Sequence, residues 1–126
     1  MSGKGDRLWA VRGATKVARN DPGAILDGTE ELMRELIARN DLDTEDVVSC
    51  IFTSTHDLNA DFPAVAARNL GLESVPLLCA QEIDVPGAMR SVIRVLVHYY
   101  APAEHQPTHT YLGEAQELRS DLHAAQ

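Results

Sequence analysis

Positive charge is scarce in this chain: Lys and Arg together number 11 against 19 Asp and Glu, a formal net charge of −8. A protein that grips nucleic acid or an anionic membrane by general electrostatics needs the opposite balance, so neither is expected as its partner. Long apolar runs are missing too. No stretch approaches the ~18 residues that would span a bilayer. Residues 1–7 are polar and lack the apolar core of a secretory signal, so no export is expected. Cysteine is nearly absent. Cys50 and Cys79 are too few for a disulfide framework, and without export they are expected as reduced thiols in the cytoplasm. The chain has no internal repeat, low-complexity segment or linker. The short motifs of nucleotide and hydrolase chemistry (the P-loop, Gly-x-Gly-x-x-Gly and Gly-x-Ser-x-Gly) do not occur.

What is present fits one domain spanning residues 1–126. The 126 residues are 44% apolar, enough to bury a core. A domain this small buries only about two-thirds of its unfolded surface, so association would help it. Asp21-Pro22 opens a helix, with Asp as cap and Pro at the first turn, where no N–H is needed. Ile25, Leu26, Leu32, Met33, Leu36 and Ile37 continue it with helical spacing, which predicts a helix over 22–39. Short strands are predicted over 8–12, 47–53, 75–80 and 109–115, and a short helix over 62–70 ending at Gly71. Residues 89–100 read as a strand by composition, with a helix as the minority reading. Alternation would place Arg90, Val92, Arg94, Leu96 and His98 on one face and Ile93, Val95, Val97 and Tyr99 on the other. The sum is an α+β domain: a mixed sheet covered on one face by the long helix. The uncovered face is expected to meet a partner. Residues 1–6 read as a polar extension and about 120–126 as a fraying tail.

Metal chemistry finds no support. His105 and His109 are four apart, as helical zinc ligands are, but Pro107 between them breaks the helix, so they read as a solvated loop. A lone thiol such as Cys79 is more often a small buried hydrophobe than a nucleophile. Arginines at strand ends remain: Arg12 beside Gly13, and Arg94 with Arg90, together with Arg68 in the short helix and Glu82 after the 75–80 strand. A guanidinium binds carboxylate as a bidentate fork and stays charged. Taken one at a time, such arginines are mostly surface ion pairs. Spacing alone therefore reaches only a small domain that binds a small anion.

Several segments in register carry a resemblance further. They are Val11-Arg12-Gly13-Ala14-Thr15, then Ser54-Thr55-His56-Asp57-Leu58-Asn59-Ala60-Asp61-Phe62-Pro63-Ala64, then residues 75–87 (VPLLCAQEIDVPG), Ile93-Arg94-Val95, and His109-Thr110-Tyr111-Leu112. With Leu118-Arg119 and Asp121-Leu122 in the tail, the order and gaps resemble the AroH-class chorismate mutases, the small trimeric type, over residues 8–122. The resemblance implies a homotrimer with a pseudo-α/β-barrel core and three active sites in clefts between subunits. It implies rearrangement of chorismate to prephenate without metal or cofactor, in aromatic amino-acid biosynthesis. Arg94 would face the breaking ether oxygen, and Arg12 would bind substrate carboxylate. Glu82 and Cys79 would hydrogen-bond the ring hydroxyl, with Glu82 as acceptor. Tyr111 would contact the side-chain carboxylate region, and Phe62 would supply an apolar wall. Arg68 would close over the pocket, and Arg119 in the tail would order onto the ligand. Phe62 and Arg68 would come from one chain and Arg94 from the next. Two readings of other classes stand beside this one: a non-catalytic trimeric carboxylate-binding or regulatory module, and a structural oligomer without ligand.

Overall fold

A computed structural model describes residues 6–118. The chain runs through β1 (Asp6–Lys16), α1 (Pro22–Arg39), β2 (Val47–Ser54), α2 (Ala64–Ala67), β3 (Leu77–Gln81), β4 (Val92–Pro102) and β5 (Thr110–Tyr111). The five strands form one mixed sheet in the order β3-β2-β4-β1-β5. β4 lies antiparallel between β1 and β2, while β3 and β5 join the edges in parallel.

The long helix begins as the cap predicts. Asp21 is extended, and its Oδ1 accepts from the Ala24 N–H at 2.8 Å with Pro22 in the first turn. That backbone bond holds the Asp21 carboxyl below its usual range, against a smaller opposing effect of burial and with help from Arg19. At the other end, Asn40 Nδ2 donates to the carbonyls of Leu36 (2.9 Å) and Thr108 (3.0 Å), and Asn40 Oδ1 accepts from the Thr108 N–H at 2.7 Å. The helix C-terminus is thereby tied to the lead-in of β5.

Leu32, Met33 and Leu36 of α1 pack on Val11, Phe52, Val95, Val97 and Tyr99, and Ala64, Ala67 and Leu72 complete the cluster. Each fully buried large apolar side chain here stabilises by about 1.5–3 kcal/mol. Gly13 lets the helix approach closely: a Cβ there would lie 3.1 Å from both Leu32 Cδ1 and Leu36 Cδ1. Helix and sheet therefore meet at the residue after Arg12.

β4 is a strand, and its alternation is as expected from Ile93 onward; Arg90 precedes the strand, and Val92, expected beside Arg94, is fully buried against Ala14 and Tyr111. Ile93, Val95, Val97 and Tyr99 are buried under the helix, while Arg94, Leu96 and His98 are half-buried on the other face. Boundaries differ from expectation in several places. β1 extends to both sides of 8–12 because β4 supplies partners from Asp6↔Pro102 to Lys16↔Val92, so Asp6 belongs to the sheet and not to a polar extension. β4 itself begins at Val92, after the left-handed Ser91 (φ 61), and runs two residues past Tyr100. β3 starts at Leu77, two residues later than predicted, where pairing with Cys50 begins. The 109–115 segment is only a two-residue strand followed by a 3-10 turn, Gly113–Glu117, entered through Gly113 at φ 54. The short helix widens after Ala67 into a π-type turn, Arg68–Leu72, with Gly71 in the left-handed region as the predicted cap requires.

Candidate active site

The sheet face away from α1 carries the polar residues. In register, Arg94 lies between Ala14 of β1 and Thr53 of β2, and Leu96 lies between Arg12 and Ile51. Paired residues point to the same face, so Arg12 and Arg94 share it as diagonal neighbours, two residues apart in register. With Ile51, Thr53, Leu96 and Tyr111 they line a cleft of about 240 Å³.

Glu82 touches two of these lining residues, Thr53 and Arg94, while itself lining an adjacent cavity with Thr55, His56 and Asp57. The residue leaves β3 with its backbone N–H donating to the Ser54 carbonyl at 2.9 Å. Its Oε2 accepts from Thr53 Oγ1 at 2.7 Å and lies 3.0 Å from Arg94 Nε. The Arg94 Nε–H is buried but not aimed at an acceptor, so this contact is an ion pair and not a well-formed hydrogen bond. The carboxylate orients the guanidinium on the cleft wall.

Arg94 is further fixed from the start of β4. The Val92 N–H donates to Thr55 Oγ1 at 3.1 Å, and Ser91 Oγ donates to Asp57 Oδ2 at 2.9 Å. Burial alone would raise the Asp57 pKa, but hydrogen bonds from Thr55 and Ser91 outweigh it and hold the carboxyl below its usual range. An ionised Asp57 thus staples the chain three residues ahead of Arg94.

The other expected site residues gather elsewhere. Phe62, Arg68 and Cys79 line a second groove of about 350 Å³ with Ala64, Val75 and Leu77. Phe62 is 66% exposed, and Arg68 is exposed at the start of the π-type turn. Cys79 pairs with Phe52 and packs toward the helix-side core, so within one chain it does not share the cleft of Arg94. Arg119 lies outside the described residues. Among the described residues no cluster of three or more His, Cys, Asp and Glu is placed to hold a metal ion. No helix among them is long and apolar enough to cross a membrane.

The model of the family "Chorismate mutase type I" matches residues 8–122. This chain belongs to that family. It is 42% identical over 118 residues to the chorismate mutase AroH of Thermus thermophilus, covering 92% of this chain and 97% of that one. To the AroH chorismate mutase of Bacillus subtilis (strain 168) it is 40% identical over 117 residues, 91% of this chain and 92% of the relative. A solved chorismate mutase from Clostridium thermocellum superposes with a TM-score of 0.80 at 42% identity, covering 87% of this chain and 99% of that one. Membership in the chorismate mutases makes the chain an isomerase that converts chorismate to prephenate, and it favours the enzyme over the binding-module and structural readings.

Three residues of this chorismate mutase fold escaped the sequence reading. Thr53 was read only as part of a β-branched strand, yet it holds Glu82. The only available signal was its register against Arg94, which needs the sheet order. His105 and His109 read as a solvated loop, but both are engaged: Tyr99 Oη and His105 Nε2 are 2.7 Å apart, and His109 Nδ1 accepts from the Arg12 N–H at 3.0 Å.

Proposed function

We propose that catalysis of the chorismate-to-prephenate rearrangement rests on Arg94, with Arg12 and Glu82 beside it, in a cleft completed by a neighbouring subunit of a homotrimer. The reaction is a concerted pericyclic shift. It requires no proton transfer, covalent intermediate, metal or cofactor, so the protein must select the compact conformer and stabilise the polarised transition state. The C–O bond breaks ahead of C–C bond formation, and negative charge grows on the ether oxygen. A fixed cation at that oxygen binds the transition state better than the substrate.

The observation that carries this reading is the placement of Arg94: half-buried on the wall of the cleft that Arg12 also lines, and held 3.0 Å from Glu82. Arg12, at the neighbouring position on the same face, takes a substrate carboxylate as a bidentate fork. Tyr111, on the cleft wall, meets the side-chain carboxylate region. Glu82 accepts from the ring hydroxyl while Thr53 holds it in place. It is an acceptor and not a general base.

The trimer is supported by two features. The open face exposes Leu8 (47%) and Leu78 (60%), and the loop after β3 exposes Ile83 (87%). An apolar face of this kind is closed by cyclic association. The second feature is the division of the site residues into two separate concavities of one chain. A neighbour's groove, with Phe62 as an apolar wall and Arg68 and Cys79 as polar contacts, set against the Arg94 cleft makes one enclosed pocket. Three such pockets arise per trimer, around a pseudo-barrel of sheets. The whole chain then serves as one catalytic domain in aromatic amino-acid biosynthesis. Its two free thiols are in keeping with the cytoplasm.

The test is direct. Purified protein is mixed with chorismate and the ultraviolet absorbance of the diene is followed, while light scattering gives the mass. Enzyme-dependent decay to prephenate by a particle of three chains is expected. Constant absorbance, or an active monomer, would overturn the proposal.

A further inference from the structure

In β1, alternate residues turn their backbone groups toward opposite neighbours. The Val17 N–H donates to Ser91 of the β4 side, while the Ala14 carbonyl accepts from the Leu112 N–H on the β5 side. Arg12, two residues before Ala14, therefore presents its N–H to the β5 edge. The β5 ladder is only Thr110–Tyr111 and ends before reaching it. The backbone acceptor that a longer strand would provide is the Thr108 carbonyl. That oxygen already accepts from Asn40 Nδ2 at 3.0 Å and Thr110 Oγ1 at 3.1 Å, which uses both lone pairs. The His109 side chain takes its place, with Nδ1 3.0 Å from the Arg12 nitrogen.

A backbone N–H only donates, so Nδ1 must carry its lone pair and the ring proton must sit on Nε2. His109 thus serves as an acceptor that ends the ladder at the residue bearing one of the two cleft guanidiniums. Tyr111, two residues further along the same segment, is a wall of that cleft.

We propose that His109 is a positioning residue for Arg12. Its Nδ1 fixes the β1 backbone at Arg12 against β5, and so sets the point from which the Arg12 guanidinium reaches substrate carboxylate and its distance from Tyr111. The inference rests on the reading of Arg12 given above. Without the acceptor, a half-buried N–H is left unsatisfied and the edge of β1 is free to shift, so the guanidinium loses its placement.

The experiment compares wild type with His109→Leu, which removes the acceptor at similar volume. His109→Asn is the conservative variant, because its Oδ1 can occupy the place of Nδ1. Arg12→Ala is measured alongside. Expected are a KM for chorismate raised about tenfold in His109→Leu, kcat changed less than about threefold, and KM restored to within about threefold in His109→Asn. A purely structural role would lower the thermal midpoint of both variants without this split in KM. If Arg12→Ala raises KM and His109→Leu does not, or if Leu and Asn behave alike, the positioning role is overturned and the reading of Arg12 stands. If Arg12→Ala leaves KM unchanged, the reading of Arg12 itself fails, and the inference with it. Should His109→Leu not fold, ¹⁵N-labelled wild type decides. A trans-hydrogen-bond coupling between the Arg12 amide nitrogen and His109 Nδ1 supports the proposal, and a protonated Nδ1 refutes it.

Discussion

Two inactive chains should make an active one. The Arg94 cleft and the Arg68 groove are separate concavities on one subunit, so a substrate that needs both must lie between subunits. On the proposed roles, Arg94→Ala removes the cation at the ether oxygen, a loss of about 3 kcal/mol of transition-state stabilisation, or on the order of a hundredfold or more in turnover. Arg68→Ala removes a charge-assisted contact worth about 2 kcal/mol, roughly thirtyfold. If the chain forms the proposed trimer, equal co-expression of differently tagged chains gives trimers assembled at random. A cleft is whole when the chain supplying position 94 is the Arg68→Ala chain and its neighbour is the Arg94→Ala chain. Each condition is met about half the time, so about one quarter of the clefts are whole. A doubly tagged trimer of either composition has one whole cleft in three, so chorismate decay in that fraction should run at about a third of the wild-type rate, on the order of tenfold above the mean of the two parents. Activity equal to that mean, in trimers shown by mass to be mixed, would refute the shared cleft.

Alkaline pH should unfold the protein through two buried groups. Burial pushes the Cys50 thiol up to about 12 from 9.0, and the Tyr99 hydroxyl up to about 12 from 10.0. The unfolded chain loses these protons at the ordinary values and the folded chain does not. The contribution of these two groups is therefore level below about pH 9 and falls as pH rises toward 12, by about 1.4 kcal/mol per pH unit for each group above its ordinary value. Urea midpoints at about pH 8 and pH 10.5 should show this fall, smaller in Cys50→Ala; equal falls in the two proteins would contradict the assignment. Gly28 is a packing glycine: a Cβ there would sit 2.6 Å from Cγ1 of Val17, a side chain stiff at χ1. Gly28→Ala should cost about 1–2 kcal/mol net of its gain in helix propensity, and should stabilise instead in a Val17→Ala background. Denaturant titration of the four proteins checks the change of sign.

The helix and the central strand were legible because their signals are local. Asp21-Pro22 caps, a 3.6-residue apolar period and the alternation of 93–99 each need only neighbouring residues. Strand ends were not local. β1 is long because β4 is, and β5 is short because Gly113 turns the chain away, which pairing decides and propensity does not. Of the candidate site, Arg12 and Arg94 were visible as cations at odd positions, and the motif resemblance gave them roles. The placement of Arg12 and Arg94 on one face, Thr53 as the holder of Glu82, and His109 on the Arg12 N–H all depend on register. A shift of one residue would send each to the other face. The division of Cys79 from Arg94 follows the same rule, because Cys79 pairs with Phe52 and not with Thr53.

On the proposed function, charge at position 94 acts in the transition state. Arg94→Gln keeps a polar side chain of similar reach and removes the cation. Its kcat for chorismate, measured on protein with a wild-type melting temperature and trimer mass, should drop on the order of a hundredfold to a thousandfold. A kcat within about threefold of wild type would contradict the account.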